Sequence, residues 1–268
     1  MSETQELRLR VAAAGKDREQ SFALPAAWQV TVCPAAWGPA LSPARVRRAF
    51  AGTPGRAPIA VAARGARSAV ILVDDFRRPT PVERLCTEVL EQLAAAGVPR
   101  DRVTLITGGG AHRSQRRLEA RRLGRALDGI GAWLIHDVFS PKVRYVGLTS
   151  AGTPVLVNEV AAEADFSIGI SSVYPHPLTA WGGGAKIVLP GICHVSTIHH
   201  HHGRLKGRPR ATDPGRCPSR RDLEEAAALF GLDYAVCAVM NGHQELCGLF
   251  VDEPTRAHRR AVSYARQA

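Results

Sequence analysis

Three short apolar segments, separated by helix-forming segments, limit the folds that are open to this chain. They are Ser68–Val73 (SAVILV), Val103–Thr107 (VTLIT) and Asp165–Ile170 (DFSIGI). Apolar, β-branched runs of this length are typical of strands buried on both faces of a parallel sheet. Their alternation with helices predicts right-handed crossovers. The predicted fold class is α/β, with a mainly parallel sheet flanked by helices in a Rossmann-like three-layer arrangement.

The clearest helix prediction follows the first of these strands. Its apolar stripe recurs at helical spacing before Gly97 and comprises Val82, Leu85, Cys86, Val89, Leu90 and Leu93. Thr80 and Glu83 match the Thr-x-x-Glu pattern of a capping box, with Pro81 at the first helical position. We therefore expect Thr80 to cap this helix.

The same rules predict the remaining elements. Further strands are expected at Leu7–Val11, Phe22–Leu24, Val30–Cys33, Trp133–His136, Val155–Val157, Tyr234–Met240 and Gly248–Val251. Further helices are expected at Ser42–Phe50, Arg113–Arg125, Asn158–Ala164, Asp222–Phe230 and Pro254–Arg266. The last contains His258, which is interpreted as a surface or packing residue.

Length and cysteine use set the broad class of protein. The 268 residues can bury a sizeable core as one large domain or two small ones. No stretch approaches the roughly eighteen apolar residues of a membrane span, and the start (MSETQELRLR) lacks the apolar segment of a signal peptide. The six cysteines are scattered without a CxxC pair, which is typical of reduced thiols. A cytoplasmic protein is expected.

The strongly basic balance raises the question of a nucleic-acid partner. The formal net charge is +11, and the excess lies mainly in Arg113–Arg125 and Arg204–Arg221. The first reads as a helix with a solvated basic face and the second as a long loop. Aromatic residues make up only 6% of the chain and none alternates with the arginines, so a stacking platform for nucleic acid is absent. We do not expect nucleic acid to be the partner.

Polar motifs directly or closely follow three of the predicted strands. These motifs are DDFRRPTP, GGGAHR and PHPLTAWGGGAK. Because ligands of such sheets bind outside the carboxyl ends of the strands, the motifs should meet at one rim. We therefore expect Asp75, Arg78, His112, His176 and Lys186 to converge on one site.

The segment Pro175–His202 holds the densest set of candidate ligand-binding groups. Three glycines, Gly182–Gly184, precede Lys186, and a run of four histidines, His199–His202, follows. The glycines suit either a plain turn or a ligand cradle. The lysine could be a solvated charge or a nucleophile, and the histidines an accidental metal-binding tract or true ligands.

These motifs resemble the nickel-pincer lactate racemase family. The resemblance rests on DDFRRPTP, GGGAHR, VNEVAAEADFSIGI and above all PHPLTAWGGGAKIVLPG, and it covers nearly the whole chain. It implies a cofactor, the nickel-pincer nucleotide (nickel pyridinium-3,5-bisthiocarboxylic acid mononucleotide). Lys186 matches the lysine that joins this cofactor through a thioamide, with Gly183 and Gly184 in the same motif. His202 matches the nickel ligand, with His201 or His200 as alternatives.

The resemblance also implies roles for the other site residues. His112 and His176 match the acid/base pair that acts on the two faces of the substrate carbinol. Arg78 matches the arginine that binds the substrate carboxylate, and Asp75 supports it. The implied function is that of an isomerase, a racemase or epimerase that acts on a small 2-hydroxy acid by hydride transfer. The alternative is a non-catalytic or partner-dependent cofactor-binding subunit.

The chain departs from the family pattern in two ways. Family members carry a second domain that closes over the substrate, whereas this chain ends at Ala268, where the first domain would end. We therefore expect residues 1–268 to form one lactate racemase N-terminal-like domain without the C-terminal domain. A second chain could complete the cleft, or the site could be open to a large substrate, or the reaction could differ. Ala111 and Trp181-Gly182 replace threonine and Tyr-Ser of relatives, which predicts a different substrate specificity.

Overall fold

A computed structural model describes residues 3–13, 16–32, 38–203 and 213–267 of the chain. The strands are β1 Thr4–Ala13, β2 Lys16–Pro25, β3 Ala69–Asp74, β4 Val103–Gly108, β5 Ala132–Ile135, β6 Val143–Leu148, β7 Pro154–Asn158, β8 Phe166–Ser172, β9 Pro175–His176, β10 Ala180–Trp181, β11 Tyr234–Met240 and β12 Leu246–Asp252. The helices are α1 Pro43–Ala49, α2 Ile59–Ala62, α3 Val82–Ala95, α4 Arg116–Leu123, α5 Glu159–Ala162, α6 Val195–Gly203, α7 Pro218–Phe230 and α8 Pro254–Ala265. Short 3-10 turns lie at Arg100–Arg102, Gly124–Leu127, Gly184–Ile187 and Pro214–Arg216.

A six-stranded sheet forms the centre of the fold. Its spatial order is β12-β11-β8-β3-β4-β5. Neighbouring strands are parallel except for β12, which pairs antiparallel with β11. The predicted α/β class with a mainly parallel, helix-flanked sheet is confirmed.

Alternate residues of β3 belong to two different cores, which is what a strand buried on both faces requires. Ile71 packs in one cluster with Leu85 of α3. Leu72 packs in the other with Val157 of β7 and Leu223 of α7. The sheet is therefore covered on both sides, as the unbroken apolar sequence of β3 predicts.

The strand order reverses between β3 and β8. From β3 the chain adds β4 and β5 on one side, and it later returns to place β8 and β11 on the other. In open α/β sheets a crevice forms outside the carboxyl ends of the strands at such a switch point. The crevice here lies beside Asp74 at the end of β3 and Ser172 at the end of β8.

Three of the predicted strands lie outside the central sheet. Val155–Val157 lies in β7, which pairs antiparallel with β6 rather than continuing the parallel sheet. The sequence gives little sign of β6, because its residues form no apolar run and none of them is buried. Leu7–Val11 and Phe22–Leu24 lie in the hairpin of β1 and β2. In Val30–Cys33, residues 30–32 form no strand and Cys33 lies outside the described residues.

The predicted capping box of α3 is wrong, although the predicted apolar stripe is buried throughout. The helix begins at Val82, after Pro81, and no side chain caps it. The Thr80 hydroxyl instead donates a hydrogen bond to Asp74, 2.5 Å away, because that buried carboxylate needs donors. Glu83 accepts from the backbone N–H of Arg125 at 2.9 Å. Long-range contacts therefore replace the local cap.

Two other helix boundaries differ from the predictions. The basic helix spans only α4, because Gly124 leaves helical geometry at a φ of 48°. Helix α7 begins at Pro218, four residues before Asp222, so this carboxylate does not lie at the helix start. Asp222 is instead buried and binds His201. Within the described ranges, no helix has the length and apolarity needed to cross a membrane.

Leu85→Ala should lower the free energy of unfolding by about 2–5 kcal/mol, because Leu85 is fully buried between α3 and the sheet. Leu148→Ala is the matched control. Leu148 is 57% exposed on β6, so its truncation should change stability by about 0.5 kcal/mol or less. Urea unfolding of both variants measures the difference. Equal effects would contradict the placement of α3 against the core.

Candidate active site

A cavity of about 350 Å³ opens where the carboxyl ends of β3, β4 and β8 meet. Seven candidate residues line it: Asp75, Arg78, His112, His176, Gly183, Lys186 and His202. Its volume lies within the range of about 300–1,000 Å³ that is usual for small-molecule sites. The structure thus brings together the five side chains for which convergence was expected, with one histidine of the four-histidine run beside them.

The glycines before Lys186 are required by close packing. A Cβ atom at Gly183 would lie 2.5 Å from the carbonyl oxygen of Ser172, and one at Gly182 would lie 2.7 Å from the ring of Tyr174. Gly183 and Gly184 have φ values of 76° and 60°, which L side chains rarely adopt. The loop therefore lies directly against the end of β8, and this position directs Lys186 into the cavity.

Lys186 and His176 form a hydrogen-bonded pair in the cavity. The Nζ atom of Lys186 lies 3.1 Å from Nε2 of His176. Burial and the nearby Arg78 and Arg220 lower the pKa of Lys186 to about 7. Burial and the charge of Lys186 lower the pKa of His176 to about 3. A large share of Lys186 is therefore the free amine at neutral pH.

The hydrogen bonds of His176 assign its ring proton. The backbone N–H of Leu178 donates to Nδ1 of His176 at 3.2 Å. A neutral imidazole whose Nδ1 accepts must carry its proton on Nε2. That Nε2–H group points at Nζ of Lys186, so the lysine nitrogen accepts the bond with its lone pair.

His112 is held by a buried carboxylate. Its Nδ1 donates to Oδ2 of Asp75 across 2.7 Å, and Asp75 is only 2% exposed. The carboxylate also accepts from the backbone N–H of Arg77 at 3.0 Å. A carboxylate at Nδ1 fixes the tautomer that leaves the Nε2 lone pair free to take a proton.

Of the four histidines in the run, His202 lines the cavity and the other three do not. Its Nδ1 donates to the carbonyl oxygen of Ile198 at 2.9 Å, which leaves the Nε2 lone pair available to a metal. Burial lowers the pKa of His202, so the ring is neutral as a metal ligand must be. His201 is buried and bonded to Asp222 at 2.7 Å. The geometry favours His202 over His201 and His200.

Arg78 supplies the cavity with a cation. Its guanidinium lies over the ring of Tyr174, 5.1 Å from the centroid. Among the residues that the structure describes, no carboxylate forms an ion pair with Arg78, so its fork of donors is available to a bound anion.

Two buried side chains that the sequence analysis did not assign to the site hold the glycine loop. Arg220, fully buried, donates to the carbonyl oxygen of Gly183 at 2.9 Å. His258 is also fully buried and bonds the carbonyl oxygen of Gly182 at 2.9 Å. The sequence analysis interpreted His258 as a surface or packing residue, and the structure shows that it is a packing residue. Arg220 was placed in a long loop, and that interpretation is wrong for this residue, which lies in α7.

Arg220 can be buried because an ion pair accompanies it. Its Nε donates to Glu224 at 2.7 Å, one turn along α7, and Glu224 also binds Arg259 at 2.8 Å. The i,i+4 spacing of Arg220 and Glu224 was the only sign of this pair in the sequence.

Arg122 also departs from the predicted solvated face of the basic helix. Its guanidinium bonds the carboxylate of Asp74 at 2.5 Å and the carbonyl oxygen of Thr80 at 3.2 Å. Its side chain is 14% exposed. The reason is that Asp74, at the end of β3, is buried and requires a counter-charge. Arg122 therefore fixes the segment that carries Asp75 and Arg78.

These features define an α/β protein with a ligand site at the switch point of its sheet. The sequence pattern of the lactate racemase N-terminal domain matches residues 15–213. The chain belongs to this family.

Similar proteins carry the same family name. The chain is 25% identical to a lactate racemase of Lactiplantibacillus plantarum over 76% of this chain and 49% of that protein. It is 24% identical to a lactate racemase of Thermoanaerobacterium thermosaccharolyticum over 83% of this chain and 53% of that protein. The chain therefore spans about half the length of these relatives.

Solved structures share the fold. The lactate racemase apoprotein of Thermoanaerobacterium thermosaccharolyticum superposes with a TM-score of 0.78 at 20% identity, over 97% of this chain and 62% of that one. A Thermotoga maritima protein superposes with a TM-score of 0.67 at 20% identity, over 86% of this chain and 60% of that one.

Arg220→Ala should lower the free energy of unfolding by about 3–5 kcal/mol, because it leaves Glu224 and the loop carbonyl groups without their buried partner. Arg144→Ala is the matched control. Arg144 pairs with Glu163 at 3.5 Å on the surface, and both side chains are more than half exposed, so the loss should be about 1 kcal/mol or less. Denaturant unfolding measures both values, and equal losses would contradict the support that Arg220 gives to the loop.

Proposed function

We propose that this chain binds the nickel-pincer nucleotide and serves in the racemisation or epimerisation of a 2-hydroxy acid. The observation that carries the proposal is the cavity itself. It is lined by a lysine amine with a lowered pKa, a histidine with a free Nε2 lone pair, two further histidines, and an arginine that has no ion pair with any described residue. Membership of the lactate racemase N-terminal domain family supports the same proposal.

The residues of the cavity fit the proposed cofactor. Lys186 presents a nitrogen lone pair for a thioamide, and its pKa of about 7 makes the nucleophilic form available. His202 presents one neutral nitrogen to a metal. No group of three or more His, Cys, Asp or Glu within the described ranges is arranged to hold a metal ion. A single histidine ligand suits a metal whose other ligands belong to a bound cofactor.

The cofactor, when bound, would accept and return a hydride at the substrate carbinol, which no protein side chain can do. The other parts of the reaction fall to this chain's residues. Arg78 would bind the substrate carboxylate through two hydrogen bonds and fix the position of the carbinol carbon. His112, held by Asp75, would take the hydroxyl proton on one face.

His176 would be the acid/base group of the opposite face, which requires its cavity-facing Nε2 to give up the hydrogen that it donates to Lys186 in the free chain. Racemisation needs a base on each face, because the planar keto acid is reduced from either side. In the free chain the positive charge on Lys186 helps to lower the pKa of His176. A lysine nitrogen bound as an amide or thioamide carries no charge, so attachment at Lys186 should make His176 a stronger base.

Loading tests the cofactor proposal. After co-expression with the enzymes that make the cofactor, intact-protein mass spectrometry should show one added mass together with nickel. Lys186→Ala should lack the added mass, because it removes the point of attachment. Lys142→Ala is the control, because Lys142 is exposed and far in sequence from the motif. Absence of any adduct under conditions that load a lactate racemase would contradict the proposal.

Racemisation by the loaded protein tests the activity. His112→Ala and His176→Ala should each lower the rate by about 10²–10⁴-fold, because each removes one acid/base group. Chiral analysis of single-enantiomer 2-hydroxy acids in deuterated water measures the rate, and the cofactor mass should persist in both variants. A loaded protein that racemises none of the acids tested would instead support the alternative, a cofactor-binding subunit.

A further inference from the structure

The Lys186 amine lies in the cavity beside the Nε2–H donor of His176, and the same cavity is lined by Arg78, which forms no ion pair with any described residue. We propose that, while Lys186 is unmodified, its amine condenses reversibly with 2-oxo acids to form a Schiff base. The chain would thus carry a carbonyl-binding activity that is separate from hydride transfer. The geometry that points to it is the Nζ to Nε2 distance of 3.1 Å together with the common cavity of Lys186 and Arg78.

The state of the amine suits attack on a carbonyl carbon. Schiff-base lysines are activated by burial and by neighbouring cations, which disfavour the ammonium form. Both conditions hold here, because Lys186 is largely buried and the cations Arg78 and Arg220 act on it. The amine is also accessible from the cavity, whereas Lys142 is a solvated lysine on the surface.

The neighbouring charges select for an acid. Asp75 is bonded to His112 and Asp74 to Arg122, so neither carboxylate is left without a cationic or donor partner. Arg78 forms no ion pair with any described residue, and it can bind the carboxylate of a 2-oxo acid. The carbonyl carbon of such an acid is bonded directly to that carboxylate. An anchored carboxylate would therefore bring the carbonyl to the wall that carries Lys186.

The reaction balances without an oxidant or reductant. The Nζ lone pair attacks the keto carbon, and the carbon–oxygen π electrons move to oxygen. The Nε2–H group of His176 can donate a hydrogen bond to this oxygen as its charge develops. The oxygen takes one proton from Nζ and a second from solvent and leaves as water. The nitrogen lone pair then forms the carbon–nitrogen double bond of a protonated imine.

The inference does not depend on the proposed function. Cofactor loading without carbonyl trapping would remove only the Schiff-base inference. Carbonyl trapping without cofactor loading would remove only the proposed function. Cofactor attachment and Schiff-base formation should also exclude each other on one molecule, because both use the Nζ atom of Lys186.

Borohydride trapping tests the inference. The purified chain, produced in a host that does not make the cofactor, is incubated with pyruvate and reduced with cyanoborohydride. Peptide mass mapping then assigns the carboxyethyl group among Lys16, Lys142, Lys186 and Lys206, the four lysines of the chain. We expect one group on Lys186 and at least about tenfold less on Lys142. Acetone, which lacks the carboxylate, should label Lys186 at least about tenfold more slowly than pyruvate.

Two variants complete the test. Lys186→Ala should lose the adduct and Lys142→Ala should keep it. Arg78→Gln also changes the free-amine fraction of Lys186, which alters labelling by both compounds equally. It should therefore lower the ratio of the pyruvate rate to the acetone rate at Lys186, and this ratio separates carboxylate binding from loss of folding. Equal labelling of the lysines, or a Lys186 that remains unlabelled in folded wild-type chain, would overturn the inference.

Discussion

The contact between the glycine loop and the end of β8 is the constraint on which the rest of the site depends. Gly183 approaches the carbonyl oxygen of Ser172 so closely that a Cβ atom there would lie 2.5 Å from it. Arg220 of α7 and His258 of α8 bind carbonyl oxygens of the same loop. Because the loop packs on β8 and is hydrogen-bonded to both helices, Lys186 enters the cavity at a fixed point, 3.1 Å from His176.

The negatively charged side chains around the Lys186 amine are paired, whereas one positively charged side chain is not paired with any described residue. Asp74 and Asp75 are satisfied by Arg122 and His112 at the ends of the strands, and so contribute little free negative charge to the cavity. Arg78 remains unpaired among the described residues. A cavity with this balance favours anionic ligands and neutral amines. The same electrostatic property underlies the proposed carboxylate recognition and the reactive state of Lys186.

The sequence predicted the sheet and the rim because both depend on local patterns. Apolar runs such as that of β3 identify buried strands, and the switch-point rule places the residues after them together. The sequence could not predict hydrogen bonds between residues that lie far apart in the chain. Thr80 bonds Asp74 instead of capping a helix. Arg220 supports a loop that lies 37 residues earlier in the chain, whereas its neighbours in sequence predicted a long loop. In both cases a buried polar group determined the hydrogen bonds that form, and the local sequence does not show that this group is buried.

The pH dependence of the Lys186 amine tests the account most directly. A limiting amount of a small amine-acylating reagent, applied to the folded chain across a range of pH, reports the free-amine fraction of each lysine by peptide mass mapping. The account predicts that labelling of Lys186 rises to a plateau with a midpoint near pH 7, because burial and the cations beside it disfavour the ammonium form. The unperturbed value for a lysine is about 10.4. A Lys186 labelling midpoint near that value would contradict the account.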